Sequence, residues 1–80
     1  MISDPIPWKQ SAVLEKDIGE GERRIAGEGS LYAMVHRLAR MERPSWLVYR
    51  IRLLNRVVAP FGYEPGEFDD LTRAMGRARP

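Results

Sequence analysis

The chain contains no cysteine, one histidine and no apolar run approaching the ~18 residues that a membrane-spanning helix needs. Without cysteine there is no disulfide framework, no thiolate metal site and no cysteine nucleophile. A single histidine excludes the usual multi-histidine metal sites, leaving carboxylates as the only ligand set for a hard cation. Neither a resident metal nor any other cofactor is therefore expected. The opening residues, Met-Ile-Ser-Asp-Pro-Ile-Pro, lack the basic start and apolar stretch of a signal peptide, so the expected location is the cytoplasm or a virion interior. Eighty residues leave room for one small domain.

Net charge is also low, at +2, but it is unevenly distributed. Residues 1–30 carry four bases against six acids, residues 31–60 six arginines against Glu42 alone, and residues 61–80 three bases against four acids. The successive balances are −2, +5 and −1. A basic centre between acidic flanks either folds against those flanks or meets an acidic or polyanionic partner. Eleven of the thirteen bases are arginine, the side chain best shaped for carboxylate and phosphate.

Pro5 and Pro7 mark the first seven residues as an arm. Residues 8–18 fit neither helical nor alternating periodicity well and read as a short helix or hairpin segment. Gly19, Gly21, Gly27 and Gly29 then read as a loop, a short hairpin or a linker, the loop being preferred. Residues 1–30 thus form an irregular, partly extended N-terminal third.

Helical spacing dominates from residue 31. Ser30 is a good N-cap ahead of Leu31, Met34, Val35 and Leu38, and Pro44 ends that segment. Ser45 caps a second stretch in which Leu47, Ile51, Leu54 and Val58 recur at four, three and four residues, up to Pro60. Glu67, Asp69 and Asp70 precede Arg73 and Arg77, the polarity that complements a third helix's dipole. The expected fold is mainly α: three helices near 31–43, 46–59 and 67–77, forming a helical core over residues 31–80 of a single domain.

Projection onto helices places His36, Arg37, Arg40 and Arg43 opposite the apolar side of the first, and Arg52 and Arg56 near Tyr49 on the second. These residues, with Trp8 as an anchor on the arm, form the candidate binding surface, suited to acidic protein or to phosphates. Arg50 projects into the apolar arc of the second helix, where an ion pair with Asp69, Asp70 or Glu67 satisfies its charge.

Catalytic and ligand motifs are weak. Two helices joined through Arg43-Pro44-Ser45 invite a helix-turn-helix reading, but Ser45-Trp46-Leu47-Val48 is too apolar to read bases. Gly27-Glu28-Gly29-Ser30 has the layout of a helix-terminal anion site, yet Glu28 repels phosphate and capping explains the serine. His36 has no serine, cysteine or acid one helical turn away, and Asp69 and Asp70 point about 100° apart on a helix. The expectation is a non-enzymatic accessory, adaptor or inhibitor protein bound to a larger protein through the arginine face and Trp8. An arginine-rich nucleic-acid module is the alternative, and a self-assembling structural or virion-type subunit the third possibility.

Overall fold

The computed structural model describes residues 5–77. They form a four-stranded antiparallel sheet with two short helices on one face, which overturns the expected three-helix domain. In chain order the elements are β1 (Ser11–Gly19), β2 (Glu22–Ser30), α1 (Leu31–Ala39), a 3-10 helix (Arg43–Val48), β3 (Tyr49–Leu53), β4 (Gly62–Tyr63) and α2 (Pro65–Met75). The strand order is β2-β1-β3-β4.

Residues 11–30 of the N-terminal third form a β-hairpin, not an irregular segment. Glu20 and Gly21 connect β1 to β2 with φ of +55° and +76°, the left-handed pair that a tight two-residue hairpin turn requires. Register shifts twice: Leu14 pairs with Gly27 and Glu15 with Ile25, so Ala26 forms a bulge in β2, and a second shift falls between Asp17 and Gly19 beside the turn.

The largest correction concerns residues 46–59. A 3-10 helix with Pro44 in its first turn runs from Arg43 to Val48, and Tyr49-Arg-Ile-Arg-Leu continues as β3 against β1. The side chains that matter there alternate: Ile51 and Leu53 are buried, whereas Leu47 and Val58 of the expected helical stripe are exposed. Aromatic and β-branched residues at period two favour a pleated strand, and β1 supplies the backbone partners. With a 3-10 turn and a strand in place of an α-helix over residues 46–59, the helix-turn-helix geometry is lost, as is a continuous apolar helix face over 46–58.

Two helices form and are shorter than or offset from their expected limits. Ser30 caps α1, its Oγ accepting the Ala33 N–H at 3.1 Å. The first two amides of α1 are satisfied from the arm: Leu31 N–H donates to the Gln10 carbonyl at 2.8 Å and Tyr32 N–H to that of Trp8 at 3.0 Å. α2 starts at Pro65, where the missing N–H costs nothing, and the Glu67 carboxylate accepts the Glu64 N–H at 3.1 Å.

Leu31, Met34, Val35 and Leu38 of α1 meet Ala12, Leu14, Ile51, Leu53 and Tyr63 of the sheet, with Phe68 and Leu71 of α2 closing the core. Trp46 joins them from the 3-10 helix: its indole N–H donates to the Leu38 carbonyl at 2.8 Å and its ring meets Phe68 edge-on at 6.0 Å. Both helices lie on this face, which leaves the opposite face of the sheet open.

Candidate interaction surface

Period 3.6 in α1 buries one side of the helix and delivers His36, Arg37 and Arg40 to the other. Together with Tyr32, Ala33 and Met41 they line a shallow surface depression. α1 contains no acidic residue, and among the described residues neither Arg37 nor Arg40 forms an ion pair. Arg37 is held in place: its Nη1 donates to the Ala26 carbonyl at the β2 bulge, 3.3 Å away. Its guanidinium also lies against Gly27, where a Cβ would come within 3.2 Å of Nε. The glycine-rich segment therefore seats an arginine on the helix rather than binding an anion. The bulge and this guanidinium also blunt the outer edge of β2.

The remaining expected site residues are not gathered here. Trp8 is half-buried on the protein's own core, its ring edge-on to Tyr32 at 5.8 Å, so it supports the depression from beneath instead of projecting from a loose arm. Arg43 pairs with Asp69 at 2.6 Å and stacks over Trp46 at 5.5 Å. Arg56 folds into its own loop, donating from Nε to the Val58 carbonyl at 3.0 Å and from Nη2 to that of Ala59 at 3.2 Å. Tyr49 takes the Lys16 ammonium over its ring at 5.9 Å. Arg52 faces the other side of the sheet, 3.6 Å from Glu15.

Arg50 also differs from expectation. Its guanidinium reaches Glu64 at 2.9 Å. Asp69 instead takes Arg43 together with Arg73, the latter at 2.8 Å one turn along α2. Since residue 50 lies in a strand, its side chain points away from the helices and from Asp69 and Asp70.

Sequence reasoning missed the open face of the sheet. Val13, Glu15 and Asp17 of β1 share it with Arg50 and Arg52 of β3 and with Arg23, Ile25 and Glu28 of β2, according to the cross-strand register. Leu47, Val48 and Phe61 stand exposed along its margin. The alternation of β3 was the available signal, hidden by a coincident helical spacing.

The Tyr63 hydroxyl is buried with no hydrogen-bond partner among the described residues. Burial, and secondarily the Glu67 carboxylate, push its ionisation above the ordinary tyrosine range, while Arg56 pulls slightly the other way. Among the described residues no cluster of three or more acidic or histidine side chains could hold a metal, and no helix is long and apolar enough to cross a membrane. Comparison with protein-family models, curated proteins and solved structures finds no match to this chain.

Proposed function

We propose that this protein is a non-enzymatic docking module that binds an acidic surface of a larger protein through the outer face of α1. The observation that carries the reading is the contrast among its arginines. Arg43, Arg50, Arg52 and Arg73 face carboxylates of their own chain, whereas among the described residues Arg37 and Arg40 stand exposed without one, together on the α1 face beside His36. Exposed guanidinium groups beside Tyr32 and Met41 combine directional donors with apolar contact, the mixture enriched at protein interfaces.

Nucleic acid is the weaker partner for this face. Two unpaired arginines on one helix give a salt slope of only about −2, well below that of proteins contacting 6–10 phosphates. A cytoplasmic or virion-interior setting accords with the reading and with the lack of cysteine.

The test is affinity capture from nuclease-treated extract of the source cells, comparing the wild type with Arg37→Glu/Arg40→Glu. The expected result is a protein retained by the first and lost from the second, which binds again when purified. Retention that disappears with nuclease, or survives the double reversal, overturns the proposal.

A further inference from the structure

The open face of the sheet differs chemically from α1, and its pattern matches itself. By register, Arg23 stands opposite Asp17, Ile25 opposite Glu15, and Glu28 opposite Val13. The bulge at Ala26 absorbs the odd residue, so Arg23 and Glu28 each lie two β1 positions from Ile25, one on either side. Ile25 is 50% exposed at the centre of this arrangement. Among the described residues, neither Arg23 nor Glu28 has an ion pair, while the neighbouring charges are already matched as Arg52–Glu15 and Arg50–Glu64.

We propose that this face docks a second copy of the chain, sheet against sheet, about a twofold axis passing beside Ile25. That axis lies in the plane between the sheets and perpendicular to the strands. It sets Ile25 against its counterpart and brings Arg23 of each copy to Glu28 of the other, giving two equivalent charge contacts. The same rotation sets Glu15 over its own counterpart and Arg50 over its own, and these like charges are tolerated because each is already neutralised within its copy, Glu15 by Arg52 and Arg50 by Glu64. Val13 on this face is already buried within its own copy and adds nothing to the contact, whereas exposed Leu47 and Phe61 extend the apolar margin around Ile25. An acidic partner or a nucleic acid meets Glu15, Asp17, Glu28 and Glu64 here and is repelled, whereas an identical face also presents Arg23, Arg50 and Arg52. The nine-residue strands of the hairpin are about 30 Å long at 3.3 Å per residue, and four strands span about 15–20 Å. Because β3 has five residues and β4 only two, the footprint is smaller than that rectangle, roughly 800 Å² for both copies together, in the range of weak, transient contacts. The association is therefore weak and reversible, and it does not depend on the partner read for α1.

Sedimentation equilibrium on the full chain, from about 10 μM to about 1 mM, tests the proposal. The wild type is expected to rise with concentration from 9.2 kDa toward twice that mass. Arg23→Glu and Glu28→Arg are each expected to weaken association about tenfold or more by placing like charges together, and the double variant to restore it. Ile25→Lys, at a half-exposed position, abolishes association while leaving the circular dichroism unchanged. A constant monomer mass, single reversals without effect, or a double variant as weak as the singles would overturn the proposal.

Discussion

Tyr63 and Gly62 show how much of the stability of this small protein depends on two adjacent positions. The Tyr63 hydroxyl lies buried and unpaired beneath the sheet end, so Tyr63→Phe removes a desolvated polar atom without removing ring packing. At neutral pH that variant is expected to be as stable as the wild type or up to about 1–2 kcal/mol more so, measured by urea unfolding. Because the folded-state pKa is raised above the unfolded value, the unfolded chain loses the phenol proton first. The neutral phenol's contribution is thus complete below about pH 10 and is lost as pH rises through the higher, folded-state value. Tyr63→Phe should flatten that alkaline decline, and an unchanged slope above pH 10 would contradict it. Gly62 has a different constraint: a Cβ there would lie 2.5 Å from the Ile51 carbonyl, a backbone atom that cannot turn aside. Gly62→Ala is expected to cost about 2–3 kcal/mol and to lose hydrogen-exchange protection at the β3–β4 pairing while the β1–β2 hairpin keeps its own.

The elements differ in how openly the sequence declared them. α1 was legible because its apolar positions, its serine cap and its exposed basic residues all agreed on one period. The hairpin was not: Ala12, Val13 and Leu14 are buried in succession, Val13 on the face opposite its neighbours, which erases the alternation of a strand with one covered side. Its glycines resembled a linker, although one completes the turn and another makes room for the Arg37 guanidinium. β3 was misread because Leu47, Ile51, Leu54 and Val58 match helical spacing by coincidence, and only tertiary pairing with β1 decides between the two periods. Of the candidate site, His36, Arg37 and Arg40 were legible because they share a true helix. Arg43, Arg52, Arg56 and Tyr49 dispersed once the second helix became a 3-10 turn and a strand. Trp46 binds these elements together, filling the space between α1 and α2 and donating to the last turn of α1. Trp46→Ala should cost about 3–5 kcal/mol by denaturant unfolding, and Trp46→Phe, which sacrifices the hydrogen bond and part of the ring, distinctly less. Equal losses would place the indole N–H, rather than the packing, in charge.

At the scale of the whole molecule, one two-layer domain presents two surfaces of opposite character. The α1 face is uniformly cationic and cannot bind its own image, so its partner must be acidic; the open sheet face mixes both signs around Ile25 and suits a second copy. Net charge of only +2 explains why neither surface was evident from composition: carboxylates of the hairpin and α2 pair with Arg43, Arg50, Arg52 and Arg73, while among the described residues Arg37 and Arg40 remain without one, side by side on the α1 face. Binding through α1 therefore depends on where those two charges sit, not on how many the chain carries. Titration of the captured, purified partner with Arg40→Glu and Arg24→Glu compares equal changes in net charge at two exposed positions, one on the outer face of α1 and one on β2. A docking face on α1 requires about tenfold or greater weakening for Arg40→Glu and little change for Arg24→Glu. Equal weakening by both would reduce the interaction to overall charge and contradict a docking face on α1.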